Sequence, residues 1–207
     1  MRSYSLNEDC FILMGCCKSS PDIEILRSDL INSPLTQGET TRLETILSGI
    51  PVHCRQIILN LPSRQLLDLY QYHTMALQSG LRKEWSLAIA YEHRALKRLQ
   101  ILLPTQKDHY IFFNFYTVLS ASFLALGEFE VAIEGFYLAL AILIKYTPMD
   151  YRTISRYYHY LGKLFAILQE WKATEYYLTK AIQTARSMTD FDQDYIDILD
   201  TELQIAK

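Results

Sequence analysis

Apolar residues recur at helical spacing along most of the chain, and the pattern itself repeats. Each copy has an aromatic residue, a small residue four positions later, a turn with a bulky aromatic residue, and a closing Ala-Leu or Ala-Ile pair. The copies run over 72–96, 116–140 and 158–182. A helical hairpin that cannot bury its own apolar face must stack on its copies. The pattern therefore predicts an all-α stack of antiparallel helix hairpins.

Several independent markers keep the same period. The turn aromatics are 44 and 42 residues apart, and so are the alanines that close each second helix. These residues are Trp85, Phe129 and Trp171, with Ala95, Ala139 and Ala181. Pro104 and Pro148 are also 44 residues apart, and each follows a long apolar helix that a proline would end. Together the markers predict a structural repeat.

The middle copy resembles the tetratricopeptide repeat family. That family has an aromatic residue, Leu, a small residue and an aromatic residue on helix A, followed by Ala, an aromatic residue and Ala on helix B. The matching residues here are Tyr116, Leu119, Ser120, Phe123, Gly127, Phe129, Ala132, Phe136, Ala139 and Leu140. The period exceeds the family's usual value of about 34 residues. It is similar to the long variant in kinesin light chains, in which helix B is extended.

The other two copies depart from the family pattern at defined positions. The third copy has Gln169 where the family prefers Gly and Thr174 where it prefers Ala. The first copy has Ser79 and Glu92 where the family has aromatic residues. These two departures leave the register of the first helix A open by a residue or two.

The resemblance implies a right-handed α-solenoid, a superhelix of helix hairpins. The chain divides into three predicted parts. Residues 63–187 are the three hairpins. Residues 1–62 are a short helical N-terminal cap or a degenerate repeat. Three helices are predicted there: one over 23–31, a second that includes 43–47 and ends at Gly49, and a third from Pro51 to Leu59. Residues 188–207 combine an apolar stripe with many acidic residues, which predicts an amphipathic C-terminal capping helix.

Composition agrees with a helical domain and narrows the classes of partner. The 207 residues are 50% hydrophobic and include only seven glycines and six prolines, so few positions favour turns between strands. The formal net charge of −3 gives no basic field for phosphate groups. The sequence therefore does not predict nucleic-acid binding.

The four cysteines predict neither a disulfide framework nor a zinc site. Cys10, Cys16, Cys17 and Cys54 all precede the hairpins, and the vicinal pair has no second pair at ligand spacing. We therefore expect reduced thiols and a cytoplasmic location. Export or N-terminal acylation at 13–17 is the alternative, against which acidic residues and a short apolar run both count.

One segment is apolar enough to raise the question of a membrane span. Residues 110–126 include no charged residue, but a helix of this length spans roughly 25 Å, which is less than a hydrocarbon core of about 30 Å. A central hairpin covered by neighbours also needs apolar residues all round its helices. The sequence favours the buried hairpin, with membrane insertion as the alternative.

No catalytic motif is present in the sequence. It has no phosphate-binding glycine loop, no HExxH motif and no GxSxG motif, and its five histidines lie on separate predicted elements. We therefore expect a protein that is not an enzyme and that has no cofactor and no metal.

The resemblance also implies where a partner would bind. In the family, helix A residues line a concave groove that holds a peptide. The matching positions in the second and third hairpins are Asn114, Thr117, Ala121, Arg156, His159 and Lys163. The first hairpin offers Tyr70, His73 and Leu77, with a less certain register.

These candidate residues favour an acidic peptide. The side chains on the second helix A are small enough for a peptide backbone to approach, and the Asn114 amide can both donate and accept hydrogen bonds. Arg156 and Lys163 form a basic wall where a carboxylate would accept charge-assisted hydrogen bonds. The alternative is that both are ordinary solvated charges, and that His159 is a polar surface histidine.

The expected function is a non-catalytic scaffold or adaptor that binds an acidic protein or peptide partner in the groove. A structural or assembly subunit that docks through apolar edges, such as 11–14, is the second interpretation. A membrane-associated adaptor is the third.

Overall fold

The chain is all-helical throughout the part that the structure describes. The computed structural model describes residues 35–189 and 192–206, which contain nine α-helices and no strand. The helices are α1 (Gln37–Ser48), α2 (Arg55–Leu59), α3 (Ser63–Leu81), α4 (Trp85–Leu102), α5 (Phe112–Leu126), α6 (Phe129–Tyr146), α7 (Tyr151–Ile167), α8 (Trp171–Ala185) and α9 (Gln193–Ile205). A 3-10 turn at Val52–Cys54 precedes α2.

Consecutive helices pack pairwise. The hairpins α3–α4, α5–α6 and α7–α8 are joined by short turns at 82–84, 127–128 and 168–170. The predicted all-α class is therefore confirmed. Helices α4 and α6 each end two residues before a proline, at Leu102 and Tyr146, because proline can neither continue the hydrogen-bond ladder nor fit the helix.

The three hairpin turns have the same backbone structure. Each contains one residue in the left-handed region, at φ values of 62° for Lys83, 83° for Gly127 and 60° for Gln169. In each turn the next residue donates its backbone N–H to the carbonyl five positions back, as in a Schellman cap. The three bonds are Glu84 to Ser79 at 2.9 Å, Glu128 to Phe123 at 3.0 Å, and Glu170 to Phe165 at 2.9 Å. Ser79 thus occupies the position of Phe123, which settles the register of the first hairpin.

Two of these left-handed positions carry side chains, so replacing them with glycine should stabilise the protein. A Cβ in this region costs about 1–2 kcal/mol, and the greater freedom of unfolded glycine offsets part of the gain. We expect Gln169→Gly and Lys83→Gly each to raise the free energy of unfolding by about 0.5–1 kcal/mol in urea denaturation. Gly127→Ala should lower it. A loss of stability in both glycine variants would contradict strain at these turns.

Small residues recur where the two helices of a hairpin approach most closely. Those at the equivalent position of the first helices, Ala76, Ser120 and Gly162, are all buried. A Cβ added at Gly162 would come within 2.9 Å of Leu178 Cδ2, and one at Gly135 within 2.0 Å of Ser120 Oγ. The small-residue positions of the sequence pattern are therefore positions of close helix contact.

The first helices of the hairpins, here called the A helices (α3, α5 and α7), contact one another through a repeated aromatic arrangement. Phe115 of α5 packs against Tyr70 and His73 of α3, with ring centroids 5.5 and 4.6 Å apart. Tyr157 of α7 packs against Phe113 at 5.5 Å and forms a hydrogen bond with Thr117. The A helices therefore lie side by side.

Helix α9 continues this arrangement as a fourth A helix. Its Tyr195 ring lies 5.7 Å from the His159 ring, and the Tyr195 hydroxyl lies 3.5 Å from Ser155 Oγ of α7. The Asp192 side chain caps α9, and the residues buried beneath the helix are Ile196, Leu199 and Leu203. The contacts of Tyr195 match those of Tyr157, so α9 occupies the place of the next helix A.

A buried histidine ties the connection between α4 and α5 to the segment before the hairpins. His109 is 1% exposed, and its Nε2 donates to the Cys54 carbonyl at 3.1 Å while its Nδ1 accepts the Ile111 N–H at 3.3 Å. Burial lowers the pKa of His109, which keeps the ring neutral. Cys54 itself is buried as a free thiol.

Some of the remaining sequence predictions concern residues that the structure describes, and others do not. Helix α1 ends before Gly49, and helical structure follows Pro51 through Leu59, as predicted. The predicted helix over 23–31, the apolar run at 11–14 and the other three cysteines lie outside the described residues. In the described ranges, no helix is both long enough and apolar enough to cross a bilayer.

Candidate functional site

The six residues predicted for the groove lie on two neighbouring A helices. Asn114, Thr117 and Ala121 are on α5, and Arg156, His159 and Lys163 are on α7. Four of them are exposed, namely Asn114, Ala121, Arg156 and Lys163. Thr117 and His159 are half-buried, and both take part in contacts between helices.

Thr117 belongs to the junction between α5 and α7. Its Oγ1 donates to the Phe113 carbonyl at 2.8 Å and also forms a hydrogen bond with the Tyr157 hydroxyl. Burial raises the pKa of Tyr157, so this hydroxyl stays protonated. The Thr117 side chain therefore stabilises the packing of two A helices.

His159 and Lys163 both contact the same carboxylate, which comes from α9. His159 Nε2 lies 2.7 Å from Glu202 Oε2, and Lys163 Nζ lies 3.9 Å from Glu202 Oε1. Because a carboxylate only accepts hydrogen bonds, His159 Nε2 carries the proton of this bond. The His159 side chain is 13% exposed, that of Lys163 58% and that of Glu202 30%.

The suggestion that His73 lines the groove is wrong. His73 is 7% exposed, and its Nδ1 lies 2.8 Å from Oε1 of Glu92, which is fully buried. Glu92 stands where the middle hairpin has the buried Phe136, so its carboxyl group faces the core and binds His73. Tyr70 is half-buried, whereas Leu77 is 45% exposed.

The buried carboxyl of Glu92 is only partly satisfied. Its Oε2 has no hydrogen-bond partner in the structure. Burial raises the pKa of Glu92, and the hydrogen bond and charge of His73 oppose that shift. Burial and the nearby Glu92 also raise the pKa of Tyr70. The first hairpin therefore carries a polar cluster inside its core.

An exposed apolar row near the C-terminal ends of the A helices was not predicted from the sequence. Its members occupy one repeat position on α3, α5, α7 and α9: Leu81 (86% exposed), Ala125, Ile167 (53%) and Ile205 (77%). Because the A helices lie side by side, equivalent positions on them form a line across the surface. The first three are 44 and 42 residues apart, so the repeat period itself was the signal that could have revealed them.

One small cavity lies away from the six residues predicted for the groove. Its volume is about 90 Å³, and Tyr116, Ile142 and Lys145 are among the residues that line it. This volume is well below the roughly 300 Å³ at which ligand pockets begin. In the described part of the chain, no group of three or more His, Cys, Asp or Glu residues is placed to hold a metal ion.

Comparison with known proteins assigns the chain to no group. No family model matches it, and no curated protein matches it at a significant level. The site must therefore be interpreted from its own chemistry.

Proposed function

We propose that the chain is a non-catalytic scaffold of the tetratricopeptide type, a right-handed α-solenoid that binds an acidic and partly apolar peptide across its A helices. The observation that carries the proposal is the apolar row, together with two exposed cations on one of the helices that form it. Leu81, Ala125 and Ile167 share one repeat position, and Arg156 and Lys163 are exposed on the helix that contributes Ile167.

The apolar row supports peptide binding because its side chains gain from leaving water. Burying apolar surface is favourable by about 25 cal/mol per Å², and contiguous exposed apolar patches mark interaction sites on soluble proteins. Leu77, at 45% exposed, lies one helical turn before Leu81 and widens the row on α3. A partner segment with apolar side chains at intervals would fit along it.

The middle of this surface is shallow. Ala121 and Ala125 are exposed on α5, and their methyl side chains leave room for a peptide backbone. Asn114, exposed on the same helix, offers an amide that can pair with both a backbone N–H and a backbone carbonyl. An extended segment crossing α5 would therefore meet a low floor with a polar anchor.

Charge determines which peptides this surface favours. Arg156 and Lys163 are both on α7, seven positions and about two turns apart on one face of the helix. Hydrogen bonds from a cation to a carboxylate are roughly twice as strong as those between neutral groups. Peptides with Asp or Glu between apolar residues are therefore the preferred partners.

An array of 12-residue peptides tests this proposal directly. Each peptide would alternate apolar residues with Asp or Glu, and each would have a twin in which Asn or Gln replaces the acids. We expect the wild-type protein to retain the acidic peptides over their twins. Reversing both charges, in Arg156→Glu with Lys163→Glu, should weaken this binding about tenfold or more, because two charge-assisted contacts are lost.

A matched control separates the site from overall charge. Lys97 and Lys172 are exposed on α4 and α8, so Lys97→Glu with Lys172→Glu changes the net charge equally without touching the A helices. This variant should bind like the wild type. Equal retention of acidic peptides and their twins, or an equal loss in both double variants, would contradict the proposal.

A further inference from the structure

The side chains of His159 and Lys163 form a pair of donors on one face of α7. Residues four apart on a helix are neighbours, with Cβ atoms about 5–6 Å apart. His159 Nε2 and Lys163 Nζ approach different oxygens of the Glu202 carboxylate, at 2.7 and 3.9 Å. One carboxylate thus bridges both donors.

We propose that His159 and Lys163 form a carboxylate-binding site for the partner, and that Glu202 occupies this site as an internal competitor. The inference rests on the proposed peptide-binding function. An acidic side chain of the peptide binds to these two donors, and Glu202 must leave them before it can.

The packing of α9 rests mainly on apolar and aromatic residues rather than on Glu202. Ile196, Leu199 and Leu203 are buried beneath the helix, and Tyr195 packs on His159. Glu202 lies at the edge of this contact, with its side chain 30% exposed. Its carboxylate can therefore rotate into water while the helix stays docked, so the exchange needs a change of side-chain rotamer only.

The donors are arranged to receive a ligand from the groove side. The His159 ring is held by Tyr195 and is largely shielded from solvent, which fixes the direction of its N–H group. Lys163 is 58% exposed and lies one turn before Ile167 of the apolar row. A peptide whose apolar side chain covers Ile167 would place a neighbouring Asp or Glu within reach of Lys163.

Competition by Glu202 lowers the apparent affinity of the wild type for acidic peptides. Glu202→Gln keeps the size of the side chain and its packing but removes the charge that Lys163 attracts. Since one charge-assisted interaction at a partly exposed site is at stake, we expect the variant to bind acidic peptides about threefold to tenfold more tightly. It should gain nothing for the neutral twins.

Asp200 provides a control on the same helix. It pairs with Arg186, at the end of α8, at 3.3 Å. Asp200→Asn makes the same change of charge on α9 while leaving the His159–Lys163 pair and Glu202 intact. We expect it to bind like the wild type.

The experiment measures dissociation constants by fluorescence anisotropy for the wild type, Glu202→Gln and Asp200→Asn. The probes are the acidic peptides of the array and their neutral twins, and circular dichroism checks that all three proteins unfold at similar temperatures. A gain for acidic probes in Glu202→Gln alone would support the competitor. Binding by Glu202→Gln where the wild type shows none would support it too.

The other outcomes distinguish a failure of the Glu202 competitor from a failure of peptide binding. If the wild type binds acidic probes and Glu202→Gln binds them no more tightly, the competitor is overturned and peptide binding stands. An equal gain in Asp200→Asn would also overturn it, because the effect would then be one of general charge. If neither the wild type nor Glu202→Gln binds any acidic probe, both the inference and the proposed function fail.

Discussion

His73→Ala should lower the free energy of unfolding by about 3–5 kcal/mol, because it leaves a buried carboxyl without its hydrogen-bond partner. Glu92 is fully buried, and its Oε1 lies 2.8 Å from His73 Nδ1. Its other oxygen already lacks a partner, so losing the histidine removes the hydrogen bond that the structure gives this carboxyl. Urea denaturation at neutral pH would measure the loss.

Replacing both residues with leucine distinguishes the effect of losing the polar pair from the effect of losing side-chain volume. Removing both members of a buried polar pair in favour of apolar groups is often neutral or stabilising. The third hairpin has the buried Leu178 where the first has Glu92, so the site accepts leucine in an equivalent setting. We expect His73→Leu with Glu92→Leu to be at least as stable as the wild type. A large loss in this double variant would contradict the interpretation of the pair.

The same carboxyl gives stability a defined dependence on pH. Burial raises the pKa of Glu92 above its usual 4.5, so the folded state binds this proton more tightly than the unfolded state does. Its contribution is therefore fully present below about pH 4.5 and is lost as the pH rises through the folded-state pKa. The free energy of unfolding of the wild type, relative to that of Glu92→Gln, should therefore fall as the pH rises above about 4.5. A difference that does not change with pH would contradict a raised pKa of Glu92.

Phe115→Ala should also lower the free energy of unfolding by about 3–5 kcal/mol, as is usual for a buried phenylalanine. Phe115 is 0% exposed and fills the junction between α3 and α5, where it contacts the Tyr70 and His73 rings. The cavity left behind would weaken the contact between the first hairpin and the second. Thermal and urea unfolding would both report the change.

Ile167→Ala is the matched control for this substitution. Ile167 is 53% exposed on α7, so its truncation should change stability by no more than about 0.5 kcal/mol. If Phe115→Ala were as mild as Ile167→Ala, the aromatic contact between A helices would not hold the hairpins together.

The periodic part of the fold could be predicted from the sequence because local and global signals agree there. The turn positions, the small residues at close helix contacts and the prolines after α4 and α6 all follow one spacing. Gln169 departs from the residue type that the turn favours, yet the backbone keeps φ at 60°. Tertiary packing of the hairpin outweighs this single local preference.

The groove chemistry was predicted less completely, for two physical reasons. The repeat aligns Glu92 with the buried Phe136, but it does not show that the Glu92 carboxyl binds His73, since that contact joins residues 19 apart on two neighbouring helices. The partner of His159 and Lys163 comes from α9, about 40 residues later. Such pairings depend on how helices pack within and between hairpins, which local sequence does not encode.

Methyl NMR of the intact protein, titrated with an acidic peptide retained on the array, tests peptide binding on the A helices most directly. We expect the methyl signals of Leu81, Ala125 and Ile167 to shift together and saturate with one dissociation constant. Ile101 and Ile144, which are exposed on α4 and α6, should stay unchanged. Shifts centred on Ile101 and Ile144, with none along the apolar row, would contradict it.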